Sequence, residues 1–349
     1  MNIVVLAGGI STERDVSLVS GMGVYRALKE NGHNVVLLDV FLGIEEFLMD
    51  ASEVFSSDKD WAAEIKSVAH DAPDISVVKK KRRDQSNVLF GPHVIEICKE
   101  ADIVFMALHG DCGENGKIQA TFDLLDIKYT GTDYLSSALS MDKAVTKSIF
   151  MEHNVKTPNG FVVYKEDTEM RSRIPDFPAV VKVCNGGSSV GVYIAKTKEE
   201  YEETLEKAFK FEDKVLVEQF IEGREFTDCV IDGMALPVVE IAPVDGFYDY
   251  EHKYQAGAAV ETCPADIPDE LTKKIQDEAI KAYKALGIKT YARMDFMQEK
   301  ATGNIYCLEA NTLPGMTPTS LIPQEAKAIG KSYNELCEWI IEVSMAKYN

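Results

Sequence analysis

Ile3-Val4-Val5-Leu6-Ala7-Gly8-Gly9 stands at the head of the chain, five apolar residues running straight into two glycines. A short unbroken apolar run is the pattern of a strand buried on both faces, as in a parallel sheet. Val16, Val19, Gly23, Val24, Ala27 and Leu28 then recur at helical spacing until Asn31-Gly32 end the pattern. Thr12, with Asp15 three positions later, is a weaker form of the capping box that opens such helices. Val35 to Val40 is the next buried run. Strand, helix and strand in that order predict a βαβ unit, and with it an α/β domain on a parallel sheet.

Asp102 to Leu108 (DIVFMAL) reads as another buried strand ending at His109-Gly110, followed by a loop from Asp111 to Gly116 and a helix from Lys117 to Leu125. Ile127 to Thr130 would close that unit at Gly131-Thr132, and Ser140 to His153 reads as one helix. Ala179 to Cys184 is a strand, Asn185 to Gly191 (NGGSSVG) a loop, and Val192 to Ala195 a second strand. Thr197 with Glu200 makes a good capping box, and Tyr201, Leu205 and Ala208 share the apolar face of the helix it opens. Lys214 to Phe220 is again a strand. Beyond it the pattern turns antiparallel: Glu225 to Ile231 and Leu236 to Ile241 join through Asp232-Gly233, and Tyr291 to Met297 and Asn304 to Glu309 join over Gly303. Residues 243–264 form a long connection rich in Gly, Tyr and charge, Pro268 to Leu286 an amphipathic helix, and helices near 323–329 and 332–346 follow. Residues 41–100 are less legible, and the basic run Lys79 to Arg83 (KKKRR) within them reads as a solvated loop.

A length of 349 residues predicts about two to three domains. With 46% hydrophobic and 27% charged residues, disordered, collagenous and disulfide-scaffold classes are excluded. Lysine and arginine total 37 against 57 acidic residues, a net charge of −20, which argues against nucleic acid or an anionic membrane surface as a main partner. No apolar run approaches the roughly 18 residues of a spanning helix. The opening residues lack the basic leader and long apolar core of a signal peptide. The seven cysteines are scattered and form no C-x-x-C pair, as expected of reduced thiols in a cytoplasm.

Common nucleotide motifs fail. Gly330-Lys331-Ser332 mimics the end of a P-loop, but position 325 is Glu, and Gly21-Met22-Gly23 lies inside a helix with Arg at position 26. The C-terminal hairpin is the strongest constellation. Alternation turns Arg293, Asp295 and Met297 to one face, and Glu309 and Asn311 to one face of the partner strand. If the register brings those faces together, two carboxylates and an amide oxygen converge beside an arginine, a hard-oxygen set suited to Mg²⁺ with a bound phosphate. The plainer alternative is two solvated strand faces. Lys182 precedes NGGSSVG, whose glycines admit backbone N–H groups to an anion and whose Ser188 and Ser189 add hydroxyls, though a simple hairpin turn fits equally well. Glu218 and Glu225 could accept bonds from a nucleotide's amino group and hydroxyls, against the plain reading of surface charge. Glu13 and His109 follow predicted strand ends, where α/β proteins place ligands.

Taken in order, these motifs resemble the D-alanine–D-alanine ligase family of the ATP-grasp fold. The matching stretches are Gly8-Gly9 with Ser11 to Ser17, ALHGDCGENG from Ala107, Tyr129-Thr130-Gly131, ALSMDK from Ala138 and Gly187 to Gly191. VEQFIEGREF from Val217, YDYEHKY from Tyr248, Arg293 to Asp295 and LEANTLPGMT from Leu308 complete the set. The resemblance implies an α/β, overall α+β, architecture of three domains: an N-terminal Rossmann-like domain at 1–131, and ATP-grasp subdomains at 132–218 and 219–349 with a lid near 243–264. It implies that ATP phosphorylates the carboxylate of one D-alanine and that the amine of a second attacks the acyl phosphate. Lys143, Lys182 and Lys253 would face the phosphates beside Ser189, Glu218 and Glu225 would hold adenine and ribose, and Asp295, Glu309 and Asn311 would bind Mg²⁺, as two ions, with Mn²⁺ a substitute. Glu13 would hold the first substrate's ammonium, in a network with Ser188 and Tyr254, with His109 nearby. Arg293 and the N–H of Gly315 would stabilise the oxyanion, and Ser320 with Leu321 would meet the second substrate's carboxylate. A cytoplasmic homodimer is also implied. Relatives use D-serine or D-lactate as acceptor, and Lys253-Tyr254 resembles the dipeptide formers. Another ATP-grasp ligase such as a carboxylase would lack Tyr248 to Tyr254. Ile10 and Leu313 depart from the family pattern, but neither supplies a catalytic group.

Overall fold

Parallel strands need a crossover between them, and the first unit supplies it. In the computed structural model, which describes residues 1–45, 50–63, 65, 73–187, 190–243 and 259–349, β1 (Asn2–Ala7), α1 (Arg14–Glu30) and β2 (Asn34–Asp39) form the predicted βαβ unit. A 3₁₀ turn at Ala51–Ser56, α2 (Ile75–Lys81) and α3 (Val94–Lys99) lead to β3 (Ile103–Met106), which joins β1 to give a parallel sheet of order β2-β1-β3. Then come α4 (Asp111–Glu114), α5 (Lys117–Leu124), α6 (Tyr134–Met141) and α7 (Lys143–Glu152).

A four-stranded antiparallel sheet follows. It consists of β4 (Gly160–Tyr164), β5 (Ala179–Val183), β6 (Val192–Ala195) and β7 (Lys214–Gln219), in the order β4-β7-β5-β6. Two helices belong to it, α8 (Thr168–Ser172) and α9 (Lys198–Ala208), and the latter buries Tyr201, Leu205 and Ala208 on β5 and β6. The third sheet contains β8 (Gly223–Ile231), β9 (Met234–Ala235), β10 (Val239–Pro243), β11 (Ala259–Thr262), β12 (Tyr291–Glu299) and β13 (Ile305–Asn311). Its order is β11-β10-β8-β12-β13, with β9 beside β8, and α10 (Asp269–Ala285) packs Ile275, Ala279 and Ala282 against Phe226, Met294 and Phe296. The helices α11 (Leu321–Ala328) and α12 (Tyr333–Ala346) return to the first domain. Leu336, Cys337, Ile340 and Ile341 of α12 are buried in the same core as β1, β2 and α1, and Ser344 accepts from Gly131 N–H at 3.2 Å.

Several expectations need correction. Ser140 to His153 is not one helix: Asp142 is extended (ψ 100°), and its carboxylate accepts from the N–H groups of Ala144 and Val145, ending α6 and starting α7. No capping box forms at Thr12, because the N-cap is Glu13, without a side-chain cap bond. At Thr197 the box is half made, since Glu200 reaches back to Lys196 N–H at 2.7 Å. The Asp111–Gly116 loop contains α4. Ile127 to Thr130 contributes only a bridge between Tyr129 and Val104, bracketed by left-handed backbone at Asp126 and Gly131. Leu236 and Pro237 stay outside β10, as a residue with no N–H at position 237 requires. Part of the 243–264 connection is β11, and 244–258 lie outside the described residues.

The basic run is also not a solvated loop. Lys79 to Lys81 close α2, where their charge suits the helix C-terminus, but Arg82 is buried. Its guanidinium donates to the carbonyl oxygens of Val88, Phe41 and Phe90 and to Asp84, and it lies over the Phe41 ring. Arg82→Ala would strand those buried carbonyls, so it should lower unfolding free energy by about 2 kcal/mol in urea titration. Lys80→Ala should leave the midpoint unchanged.

Candidate active site

Alternation along β12 and β13 places Arg293 opposite Asn311 and Asp295 opposite Glu309, with an irregularity in the ladder after Asp295. Arg293 forks onto Asp295, Nε to Oδ1 at 2.8 Å and Nη2 to Oδ2 at 2.7 Å, and both residues are buried. Thr227 of β8 donates to Asp295 Oδ1 at 2.7 Å, and Asn311 Nδ2 donates to Oδ2 at 3.0 Å. The donation by Asn311 leaves its amide oxygen for a cation. Two carboxylates and one amide fit a divalent ion that takes its remaining ligands from phosphate and water. Among the described residues, no group of three or more His, Cys, Asp or Glu forms a closed metal cage.

Lys143 begins α7 and points into the same space. Its Nζ is 3.1 Å from Glu309 Oε2 and donates to Gly186 O at 2.7 Å. Burial alone would depress this lysine's pKa, but the Glu309 carboxylate reverses the shift and raises it. A narrow cleft lined by Glu114, Lys143, Gly187, Glu309 and Asn311 results. Lys182 and Glu218, predicted separately, form an ion pair. Glu218 is only 3% exposed, so surface charge is not its role. Lys147, not singled out from the sequence, lies 2.5 Å from the other carboxylate oxygen and donates to Thr157 Oγ1 at 3.0 Å. Burial would raise the Glu218 pKa, but Lys182 and Lys147 hold it below the ordinary value. The signal for Lys147 was its position four residues after Lys143, on the same helical face. Glu225 lies two residues before Thr227 on β8, opposite Met297.

The first domain supplies the opposite wall. The carboxylate of Glu13 is flanked by two glycines: a Cβ at either Gly110 or Gly187 would come within 2.7 Å of Glu13 Oε2. His109 is buried, with Nδ1 2.8 Å from Leu313 O and Nε2 3.0 Å from Ser20 Oγ. Burial lowers its pKa despite the nearby Glu13. The neutral ring therefore carries its proton on Nδ1, donates to the carbonyl, and accepts the Ser20 hydroxyl proton at Nε2. Ser20 Oγ in turn accepts from Met316 N–H at 3.2 Å. Glu114, also not singled out, accepts from Gly110 N–H at 2.8 Å and from Leu313 N–H at 3.2 Å. Burial and the Glu13 charge push its pKa up to about 7. Both backbone groups of Leu313 are thus held by the first domain, two residues before Gly315. A Cβ on Gly315 would sit 2.9 Å from Ser320 Oγ, and Ser320 is the N-cap of α11, followed by Leu321. Ser188, Ser189, Lys253 and Tyr254 lie outside the described residues.

Two antiparallel sheets, a glycine-rich loop on one and a carboxylate hairpin on the other, define an ATP-grasp enzyme. The comparisons with known proteins agree. Residues 2–132 match the family described as D-ala D-ala ligase N-terminus, and residues 143–342 match D-ala D-ala ligase C-terminus. The chain belongs to the D-alanine–D-alanine ligase family. It is 44% identical to the D-alanine--D-alanine ligase of Pediococcus pentosaceus over 98% of this chain and 97% of that one. Among solved structures it resembles the Bacillus anthracis D-alanine--D-alanine ligase complexed with ATP, with a TM-score of 0.72, 29% identity, and 99% and 98% of the two chains covered. It also resembles a D-Ala:D-Ser ligase from Enterococcus faecalis, with a TM-score of 0.73, 28% identity, and 98% and 99% covered.

Two outcomes follow from this geometry. Lys147→Met should destabilise the protein by about 3 kcal/mol by leaving Glu218 half-compensated, and adding Glu218→Gln should recover part of that loss in a double-mutant cycle. The folded state holds the Glu114 proton more tightly than the unfolded state does. Glu114 therefore contributes stability that is full below pH 4.5 and is lost as pH rises through about 7. Glu114→Gln should remove that slope from a plot of denaturation midpoint against pH.

Proposed function

We propose that this protein joins two D-alanines into D-alanyl-D-alanine at the expense of ATP, for peptidoglycan precursor synthesis. The observation that carries the reading is the convergence of Lys143, the glycine-rich loop, and Asp295, Glu309 and Asn311 on one cleft, in a chain of this family. A carboxylate is a poor acyl donor, so it is first activated as an acyl phosphate, which the amine of the second D-alanine then attacks. Glu13, poised between Gly110 and Gly187, is suited to an ammonium group on the first substrate. Lys143 and Lys182 supply positive charge for the phosphates, and Glu218 and Glu225 are the acceptors for adenine and ribose. Asp295, Glu309 and Asn311 would hold Mg²⁺, as two ions, which when bound neutralises charge on the phosphates. Arg293 and Gly315 N–H stand where charge develops on the tetrahedral oxygen. Ser320 and Leu321, at the start of α11, face the acceptor's carboxylate. Ser188 and Tyr254 complete the network around Glu13, Lys253 and Ser189 serve the phosphates, and the 243–264 connection excludes water as a lid.

The division at 1–131, 132–218 and 219–349 belongs to this reading. So do a homodimer and a cytoplasmic location, which rest on the family resemblance. Among the described residues, no helix is long and apolar enough to cross a membrane. Purified protein with ATP and Mg²⁺ should release phosphate only when D-alanine is present, and the product should be the dipeptide. A panel of D-alanine, D-serine and D-lactate as acceptors decides between this reading and that suggested by the D-Ala:D-Ser neighbour; faster turnover with either alternative would reverse it. Glu309→Gln, which removes a metal-ligating charge, should lower kcat by about 100-fold.

A further inference from the structure

The ladder of β8 has a gap. β10 pairs with it from Val239 opposite Thr227 to Ile241 opposite Glu225 and no farther. At Cys229, between the β10 pairing that ends at Thr227 and the β9 pairing that begins at Val230, the backbone carbonyl finds Leu236 N–H at 2.9 Å, and among the described residues the Cys229 N–H pairs with no strand carbonyl. A buried donor in that position must be satisfied or it costs free energy. Glu325 of α11 satisfies it: its Oε2 accepts from Cys229 N–H at 2.8 Å, and the residue is 0% exposed. A helix side chain thus fills the break between the β10 and β9 pairings of β8.

Both ends of this contact lead into the site. Cys229 lies directly opposite Arg293 across the β8–β12 ladder. Glu325 lies one helical turn after Leu321 on α11, on the same face. Ser320, the N-cap, does not cap the helix; its hydroxyl accepts from Thr317 N–H at 3.0 Å and bonds Thr317 Oγ1 at 2.8 Å. The first turn of α11 therefore has no side-chain cap; Leu321, Ile322 and Ala326 pack the helix into apolar cores, and Glu325 adds a directional contact to β8. Burial, and next to it the buried Asp228 carboxyl, push Glu325 well above the usual carboxyl range. Glutamine keeps the length of the side chain and an acceptor oxygen for Cys229 N–H.

We propose that Glu325 is a positioning residue for the acceptor: by clasping Cys229 N–H it fixes the start of α11, and with it Ser320 and Leu321, relative to Arg293. This rests on the reading of Ser320 and Leu321 as the seat of the acceptor carboxylate. Initial rates over a wide range of D-alanine concentration resolve KM for the first and second D-alanine, and a separate series gives KM for ATP. Glu325→Leu should raise KM for the second D-alanine about tenfold while leaving the other two within about twofold, and Glu325→Gln should restore all three. Where Glu325→Leu does not fold, Glu325→Asp, which withdraws the carboxyl by one methylene, is read in the same way. An unchanged second KM, an equal rise in all three, or a glutamine variant as impaired as leucine would overturn the proposal. Failure of the wild-type protein to make any dipeptide would instead overturn the acceptor reading itself.

Discussion

The register of β12 against β13 is the constraint on which the site depends. Side chains alternate across a sheet with a period of two, so a slip of one residue would turn Asp295 or Glu309 into the apolar core beneath α10. The register is held from both sides. Met294, Phe296 and Cys307 are buried in that core, and Arg293 forks onto Asp295 on the other face. β8 continues the pattern, bringing Thr227 opposite Asp295. One arrangement thus satisfies both the apolar core and the polar face.

The net charge of −20 would repel an anionic nucleotide, and the site answers this locally. Lys143, Lys147, Lys182 and Arg293 are concentrated around the cleft, each against a carboxylate already in place. Burying cations without partners would be costly, so Glu309, Glu218 and Asp295 serve first as counter-charges. On the proposed reading, a phosphate or metal ion at the cleft would exchange partners within an existing network and would not have to create one.

Much of this was legible from the residues. The βαβ unit, the two sheets and the faces of the hairpin follow from runs and alternation, which are local signals. What stayed hidden has a common physical form. The break at Asp142 arises because a carboxylate competes with the helix for backbone N–H groups, and no periodicity announces that. Arg82 sits in a run that looks uniformly solvated, yet its partners are carbonyl groups, which every residue possesses. Glu114 and His109 bind the backbone of Leu313, and Glu325 binds that of Cys229. Contacts between a side chain and a distant main chain leave no trace in composition or spacing. Lys147 was the exception, readable from its helical spacing to Lys143 but not assignable without Glu218.

The sharing of the first core with α12 bears on how the chain assembles. The parallel sheet is synthesised before the helix that completes its apolar surface and whose Ser344 accepts from Gly131 N–H. Domains commonly fold in order of synthesis. Here part of the apolar face of the sheet is covered only when α12 packs onto it. Residues 2–132 match one family model, yet their apolar core is closed by a helix that lies outside that span.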